Sequence, residues 1–475
     1  MIGLATDHAE EGSPHWSAHV KTDVLIIGTG QAGVPLAVRL AQTGKRVAVV
    51  ESGHLGGTCV NVGCTPTKTM VASARAAHVA RTAGRLGVHA VDVKVDLASV
   101  VDRKDTVVQQ WRTAVRRRLE QVGESLELVE GRARFAGERE VEVAGRRYSA
   151  DTVVVNVGAR PRRPPIPGLE AVEWLDSSRI MELRELPEHL VVVGGGYIAC
   201  EFGQMFRRFG ARVTILQRGN HLLAREDEDV SECIEGVFRG EGVEVVLNAE
   251  VVEIEQRARQ VVVHCAGGHY TEGSHLLVAV GRIPNTDDLN CGAAGIELDE
   301  RGYIQVDDGF QTSAEGVYAV GDCNGGPQFT HNSWDEHRIL FDILMGRRDG
   351  GREGRIVPST VFTDPQVARV GLSEREAQAR GAVYEVATMP LGHVARAIEI
   401  DETAGVMKVL IEPSTERILG ATIVGYEAGE LIHSFVVLMQ AKAPAHALVD
   451  AQMVHPTLAE GLQAMVMKLE RYALK

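Results

Sequence analysis

Residues 23–51 read DVLIIGTGQAGVPLAVRLAQTGKRVAVVE and carry the clearest structural pattern in the chain. An apolar run precedes a glycine turn, as in a parallel strand that is buried on both faces. An amphipathic helical pattern follows, and a second apolar strand ends at Glu51. This order predicts a βαβ unit whose turn admits a pyrophosphate and whose terminal carboxylate binds an adenosine ribose. The alternative is a turn that binds no ligand. The glycines of this turn are Gly28, Gly30 and Gly33.

The same pattern occurs again at residues 190–217, LVVVGGGYIACEFGQMFRRFGARVTILQ. Two copies of a βαβ unit predict two nucleotide-binding domains. Gln217 stands at the ribose position of this copy, and Arg218 follows it. A neutral residue beside an arginine tolerates a 2′-phosphate, which favours NADPH over NADH, although Arg218 is otherwise an ordinary solvated loop residue. The turn of this copy contains Gly194, Gly196 and Ala199.

The composition of the 475 residues excludes several functional classes. The net charge is -14 without basic blocks, which argues against binding to nucleic acid or an anionic membrane. No apolar run approaches the ~20 residues of a membrane helix. We expect residues 1–22 to be a flexible tail and not a secretory signal, because they lack a basic start and an apolar stretch. Seven cysteines, an odd and modest number, fit a reducing cytoplasm.

Residues 56–69, GGTCVNVGCTPTKT, contain a close cysteine pair. Pro66 fits the first turn of a helix with Thr65 as its cap, so Cys64 is expected at a helix N-terminus that stabilises a thiolate. This placement favours a redox pair of Cys59 and Cys64. The alternatives are a zinc half-site, which lacks a nearby second pair of ligands, a structural disulfide, or two unlinked core cysteines.

These motifs together resemble the signature of the pyridine nucleotide–disulfide oxidoreductases, which include glutathione reductase, dihydrolipoamide dehydrogenase and mercuric reductase. The resemblance covers nearly the whole chain after residue 22. It implies that FAD and NADPH, with NADH possible, are the cofactors, and that two electrons run from the nicotinamide through the flavin and a disulfide to the substrate. By the same resemblance, Cys64 lies beside the flavin and Cys59 attacks the substrate.

The resemblance also implies roles for further residues. Lys68 would lie near the flavin and pair with Glu201, where the alternatives are a surface lysine and an exposed helix glutamate. Tyr197 would cover the nicotinamide side of the flavin, unless it is a packing residue after the turn. Asp322, at the end of TSAEGVYAVGDC, would bind the ribityl chain, unless it is a turn aspartate. The other cofactor contacts that the resemblance implies are Gly57, Thr58, Gly158 and Gly281.

The C-terminal stretch His455-PTLAEG resembles the family's His-Pro-Thr block. There the histidine is the acid/base for the substrate thiol, and a glutamate five residues later, here Glu460, orients it. Thr457 and Glu460 also form a capping-box pattern, so Glu460 is alternatively only a helix cap. In the family this histidine enters the partner's active site, which implies a homodimer with a shared site.

The expected fold class is α/β, with two Rossmann-like nucleotide-binding domains and a C-terminal α+β dimerisation domain. A glycine-rich linker, residues 346–355, precedes a region without a glycine fingerprint. The predicted boundaries are a tail over 1–22, an FAD-binding domain over 23–165 and 288–355, an NAD(P)H-binding domain over 166–287, and a dimerisation domain over 356–475.

Two stretches, FTDPQVARVG at 362–371 and EAGELI at 427–432, are similar to the mercuric-reductase-like branch. The chain lacks the C-terminal cysteine pair of mercuric reductase, since its last cysteine is Cys323, and it has His455 where those enzymes have tyrosine. Residues 327–339, PQFTHNSWDEHRI, are similar to reactive-chlorine-resistance flavoproteins of that branch. The expected acceptor is a small disulfide, an oxidised thiol or a thiophilic metal ion. NAD-linked dihydrolipoamide dehydrogenase and a flavin-binding redox sensor with little turnover are the alternatives.

Overall fold

The structure is a computed structural model that describes residues 17–472. Its α-helices are α1 Gly33–Ala41, α2 Gly57–Asn61, α3 Cys64–Thr82, α4 Leu97–Glu120, α5 Tyr197–Phe209, α6 Glu228–Gly240, α7 Thr330–Leu344, α8 Glu374–Ala379, α9 Ala395–Glu399, α10 Ala428–Gln440, α11 His446–Val449 and α12 Glu460–Val466. Its strands are β1 Ser17–Ile27, β2 Val47–Glu51, β3 Leu126–Glu130, β4 Ala133–Gly137, β5 Glu140–Val143, β6 Arg146–Val155, β7 Ala159–Pro161, β8 His189–Val193, β9 Arg212–Leu216, β10 Glu244–Val246, β11 Val251–Arg257, β12 Gln260–Cys265, β13 Tyr270–Gly273, β14 His275–Val278, β15 Arg282–Pro284, β16 Val317–Ala319, β17 Ser359–Val361, β18 Gln366–Gly371, β19 Glu385–Pro390, β20 Val406–Ile411 and β21 Ile418–Gly425.

The described residues divide into two compact units. The first contains the residues up to 57, together with 112–159 and 284–353. Its sheet has the order β3-β2-β1-β6-β5-β4, and β16 pairs with β6. The strands β3, β2, β1, β6 and β16 are parallel, whereas β4 and β5 form an antiparallel extension. This sheet carries the first glycine turn at the carboxyl end of β1.

The parallel strands of this sheet are buried on both faces. On β1, Leu25 and Ile27 pack into one hydrophobic cluster, while Val24 and Ile26 pack into the cluster on the opposite face. Successive side chains of a strand point to opposite faces, so a doubly covered strand must be apolar throughout. The uninterrupted apolar run that begins the chain's first βαβ unit is explained by this double burial.

The second unit contains residues 58–111, 160–283 and those from 354 onward. Its parallel sheet has the order β10-β9-β8-β14, in which β8 and β9 belong to the second predicted βαβ unit and β10 and β14 are two further strands. A three-stranded antiparallel sheet, β11-β12-β13, follows it in the chain. The C-terminal part is an antiparallel sheet with the order β17-β18-β21-β20-β19, on which α10 and α12 pack. The predicted fold class is therefore confirmed, while the predicted domain boundaries stay predictions.

The predicted tail is wrong for residues 17–22. These residues belong to β1, because their backbone pairs with residues 146–150 of β6, and His19 hydrogen-bonds Ser149 at 2.8 Å. Residues 1–16 of that prediction lie outside the described residues. Within residues 17–472, every helix is too short or too polar to cross a membrane.

Candidate active site

The first glycine turn requires all three of its glycines. Gly28 has a φ of +107°, and a Cβ there would collide with the carbonyl oxygen of Asn156. A Cβ on Gly33 would collide with the carbonyl oxygen of Gly28, and one on Gly30 would lie 2.9 Å from the Asn156 amide. With its amide oriented to satisfy both groups, Asn156 accepts hydrogen bonds from the Gly30 and Gly33 N–H groups. The turn is thus held bare of side chains at the start of α1.

The acid at the end of β2 is held by the same turn. Oε2 of Glu51 accepts the backbone N–H of Thr29 at 3.2 Å and bonds the Thr29 hydroxyl, and Oε1 accepts the N–H of Gly53 at 2.8 Å. The first turn of α1 has no acidic residue. A dinucleotide fits this arrangement, since the first turn of α1 carries no acidic side chain that would repel phosphate and Glu51 has remaining lone pairs for a ribose.

The residues of the second predicted flavin motif lie in the same unit. Asp322 is half-buried in a short 3-10 turn, Gly321–Asn324. Gly321 has a φ of +77°, and a Cβ there would lie 2.9 Å from the Asn156 side chain, so this turn and the glycine turn share one contact residue. The Gly321 N–H donates to buried Glu336, whose pKa is raised to about 7 by burial. Gly57 and Gly158 also have positive φ, and Gly57 packs on Gly30.

The second glycine turn has an open end. A Cβ on Gly194 (φ +117°) would lie 2.5 Å from the carbonyl oxygen of Ala279, whereas nothing lies within 4 Å of a Cβ on Gly196. Gly196 is the N-cap of α5, and the first turn of α5 has no acidic residue. Ala199 is buried and Tyr197 is 41% exposed, so Tyr197 is not a core packing residue. A pyrophosphate fits this end of α5. Gly281, with a φ of +116°, follows in the same unit.

At the predicted ribose position, Gln217 lies across the turn. Its side chain would be 2.8 Å from a Cβ on Gly195, and its amide donates to the carbonyl oxygen of His221 at 3.0 Å. Arg218 is exposed. The His221 ring lies 3.3 Å from the Glu228 carboxylate and 3.4 Å from the Glu235 carboxylate. The structure therefore places a neutral amide and an exposed arginine where the sequence predicts them.

The turn between the two cysteines leaves little room for a side chain at Gly63. Helix α3 begins at Cys64, and its N-cap is Gly63. A Cβ on Gly63 would lie 2.8 Å from the Thr58 carbonyl oxygen and 3.2 Å from the Cys59 Cα. The prediction that Thr65 caps α3 is wrong, because the helix begins one residue before it. Cys64 still lies at the helix N-terminus, where the helix dipole favours a thiolate.

Cys64 is the one exposed residue among the seven cysteines. Cys64 is exposed and Cys59 is half-buried, so Cys64 is not a core residue. Burial raises the pKa of each of the other thiols, which disfavours the reactive thiolate. These other cysteines are Cys200, Cys233, Cys265, Cys291 and Cys323.

Lys68 and Glu201 form an ion pair that joins α3 to α5. The Nζ–Oε2 distance is 2.7 Å, and the side chains are 32% and 4% exposed. The other oxygen of Glu201 accepts the backbone N–H of Phe362 at 2.9 Å, and Lys68 Nζ lies 4.7 Å from the Phe362 ring centroid. Glu201 is therefore not an exposed helix glutamate. Lys68 follows Cys64 by about one turn, and Glu201 follows Tyr197 by about one turn.

His455 and Glu460 also contact each other. Nδ1 of His455 lies 2.9 Å from Oε2 of Glu460, and the imidazole is 72% exposed. The Glu460 backbone N–H donates to the Thr457 hydroxyl at 3.2 Å. The bond from the Glu460 N–H to the Thr457 hydroxyl is one half of a capping box. The Glu460 carboxylate, which would form the other half, instead hydrogen-bonds His455. Within residues 17–472, Glu460 alone hydrogen-bonds the His455 side chain.

Sequence reasoning missed three residues that support these groups. Asn156 was visible only as a polar residue after the apolar end of β6. Phe362 lies 161 residues from Glu201, and Glu336 lies 15 residues from Gly321. Both stand in stretches quoted above for their similarity to other flavoproteins, but that similarity predicts neither contact.

Comparison with known proteins identifies relatives along nearly the whole chain. Residues 22–336 match the family described as pyridine nucleotide-disulphide oxidoreductase, and residues 357–466 match its dimerisation domain. The mercuric reductase of Lysinibacillus sphaericus is 35% identical over 453 residues, which cover 94% of this chain and 83% of that protein. The dihydrolipoyl dehydrogenase of Thermus scotoductus is 35% identical over 460 residues, which cover 95% of this chain and 98% of that protein.

A solved structure gives a similar result. The HOCl-induced flavoprotein disulfide reductase RclA from Escherichia coli, in a Cu(II) complex, superposes with a TM-score of 0.87 and 35% identity. The alignment covers 95% of this chain and 100% of that chain.

Proposed function

Because this chain belongs to the pyridine nucleotide-disulphide oxidoreductase family, we propose that it passes electrons from NADPH through FAD and a Cys59–Cys64 disulfide to a sulfur or metal-ion acceptor. The chain is an FAD-dependent oxidoreductase that uses NAD(P)H, and it carries the family's dimerisation domain. The observation that carries the proposal is the turn at Gly63, which brings Cys59 close to the helix N-terminus at Cys64.

Bound FAD would accept the hydride of NADPH and pass two electrons on to the disulfide. The disulfide accepts two electrons, which breaks its S–S bond and leaves Cys64 as a thiolate at the start of α3. The Cys59 thiolate then attacks one sulfur of an acceptor disulfide, forms a mixed disulfide and releases the first thiolate. Cys64 attacks the Cys59 sulfur, which restores the internal disulfide and releases the second thiol.

His455 supplies the proton that the departing thiolate needs, and Glu460 orients its ring. This assignment is supported by the 2.9 Å contact between the two side chains and by the exposure of the imidazole to an incoming group. We propose that His455 acts in the active site of the partner subunit in a homodimer. An exposed acid/base whose hydrogen bond is to Glu460 alone suits a site that is completed across a two-fold axis.

Gln217 and Arg218 support NADPH as the preferred donor. A glutamate at this position would repel the 2′-phosphate, whereas the Gln217 amide carries no charge and Arg218 is exposed to meet a phosphate. NADH remains a possible donor.

The acceptor class is a small disulfide, an oxidised thiol or a thiophilic metal ion. The similarity to mercuric reductase and to a Cu(II)-bound flavoprotein makes Hg²⁺ and Cu²⁺ the metal ions to test first. A steady-state panel of glutathione disulfide, cystine, Hg²⁺ and Cu²⁺, each with NADPH and with NADH, tests the proposal. We expect NADPH-driven turnover with at least one of them that requires both cysteines. Equal turnover in Cys59→Ser would contradict the disulfide route.

One observation favours a second function, NAD-linked dihydrolipoamide dehydrogenase. The chain has the His455–Glu460 pair, and a dihydrolipoyl dehydrogenase is 35% identical to it. Rapid reduction of NAD by dihydrolipoamide would favour this reading. The absence of turnover with every acceptor, in a protein loaded with flavin, would instead favour a redox sensor.

A further inference from the structure

We infer that Asp364 is a positioning residue that holds helix α3, with Cys64 and Lys68, in register with helix α5, with Tyr197 and Glu201. This inference rests on the proposed function, because only that function places the reacting groups on these two helices. Asp364 itself touches none of the reacting atoms in this proposal. It acts through the two helices.

The carboxylate of Asp364 binds one arginine from each helix. Its Oδ2 lies 2.5 Å from Arg75 of α3 and 2.6 Å from Arg208 of α5. Asp364 is 12% exposed, Arg208 is 6% exposed and Arg75 is 28% exposed, so little water competes for the bond with Arg208. Arg75 also pairs with Glu402 at 2.7 Å, and Arg208 also pairs with Glu241 at 2.6 Å. Asp364 is therefore the only carboxylate in this group that contacts both arginines.

The backbone of residues 362–364 also contacts helix α5. Its N–H donates to Gln204 Oε1 at 2.8 Å, and its carbonyl oxygen accepts the Gln204 amide at 2.6 Å. Two residues earlier, the N–H of Phe362 donates to Glu201 at 2.9 Å. Glu201, Gln204 and Arg208 are spaced by three and four residues, which places them on one face of α5. Residues 362–364 therefore bind three successive positions of that face.

Helix α3 contacts the same residues from the opposite side. Lys68 and Arg75 are seven residues apart, so they share one face of α3. Lys68 meets Glu201 and the Phe362 ring, and Arg75 meets Asp364. Residues 362–364 thus take part in contacts between the two helices at two levels, one at Lys68 and Glu201 and one at Arg75 and Arg208. Loss of the Asp364 charge removes the level that lies farther from Cys64. The Lys68–Glu201 pair, the hydrogen bond from Arg81 to the carbonyl oxygen of Arg208 and the apolar packing between the helices then remain.

The charge of Asp364 persists in the folded protein. Burial acts to raise the pKa of its carboxyl group, but Arg208 and Arg75 outweigh burial and hold that pKa below its usual range. An asparagine at this position keeps the shape and removes the charge that both arginines bind.

The test compares Asp364→Asn with the matched control Glu402→Gln, both as FAD-loaded protein. Glu402→Gln removes the other carboxylate on Arg75 and leaves the contacts of Asp364 with both helices intact. For Asp364→Asn, hydrogen–deuterium exchange should rise in residues 64–75 and 197–209. The limiting rate of flavin reduction by NADPH should fall by roughly 10- to 100-fold, since small misplacements of reacting groups cost that much. The rate is measured at saturating NADPH, so that weaker binding of the coenzyme at the N-terminus of α5 does not lower it. Glu402→Gln should change neither exchange in α5 nor the rate.

A wild-type reduction rate in Asp364→Asn would overturn the inference, even if its thermal stability falls, because the contact would then be structural only. If Asp364→Asn does not accumulate with flavin, Arg75→Gln is used instead and must show the same slow reduction. It removes the contact of Asp364 with α3 and also the Arg75–Glu402 pair, which the Glu402→Gln control tests separately. A wild-type rate in that variant would likewise overturn the inference. Failure of the proposed function is distinct from both results, since wild type itself would then show no reduction by NADPH or no cysteine-dependent turnover.

Discussion

Substitution of Gly63 by alanine tests the geometry of the cysteine turn. The new Cβ would lie 2.8 Å from the Thr58 carbonyl oxygen and 3.2 Å from the Cys59 Cα. Both are backbone atoms, so neither can move aside as a flexible side chain would. Overpacking of this kind costs about 1–3 kcal/mol of folding free energy. The backbone shift that relieves it also separates Cys64 from Cys59, and a disulfide tolerates only about 3.5–4.5 Å between its Cβ atoms.

We therefore expect Gly63→Ala to unfold at a lower urea concentration and to lose turnover with the acceptor. The unfolding is followed by flavin fluorescence, and turnover by NADPH oxidation. Gly236→Ala is the matched control. Gly236 lies inside α6 with nothing within 4 Å of a Cβ, so that substitution should stabilise the protein by roughly 0.5–1 kcal/mol and leave turnover unchanged. A Gly63→Ala protein with the urea midpoint and turnover of wild type would refute the reasoning.

Three further substitutions test the coenzyme and the acid/base. Gln217→Glu should shift kcat/KM toward NADH by about ten- to hundredfold, which is the effect of one lost charged hydrogen bond of ~1.5–3 kcal/mol. Unchanged coenzyme selectivity would contradict the assignment of Gln217 to the NADPH site. His455→Ala should spare flavin reduction by NADPH but lower disulfide turnover by something like 10²–10⁴-fold in steady-state assays. Mixed dimers of His455→Ala and Cys59→Ser should regain activity, because each has one intact site if the site is shared; verified mixed dimers without activity would rule that out. Glu460→Gln should lower turnover while the melting temperature stays constant, because the backbone N–H of residue 460 still bonds Thr457. A fall in melting temperature with unchanged turnover would instead show that Glu460 acts only as a helix cap.

The parts of the fold that depend on local pattern were predictable. The apolar runs of β1 and β8 reflect burial on both faces, and Gly28 and Gly194 have positive φ because the adjacent backbone leaves no room for a side chain. The start of α3 was not predictable from capping preference. Thr65 has a suitable side chain, but the close approach of Thr58 requires glycine at position 63 and sets the helix start there.

The family resemblance implied one contact between distant segments, the Lys68–Glu201 pair, but the sequence did not predict the others. Glu201 reads as a polar position on an amphipathic helix, and only its contact with Phe362, 161 residues later, shows that it is buried. Asp364 stands in a stretch that looks like an ordinary strand entry, although its carboxylate joins α3 to α5. Residues 17–22 look like a continuation of a polar tail, but their backbone completes β1.

The central claim is that Cys59 and Cys64 form a redox-active disulfide beside the flavin. It is tested most directly by the visible absorbance of the FAD-loaded protein during reduction by two electrons. Wild type should develop a long-wavelength charge-transfer band from the Cys64 thiolate to oxidised FAD. Cys59→Ser should show that band before reduction, and Cys64→Ser should never show it. A wild-type protein whose flavin is bleached on reduction without such a band would contradict the claim.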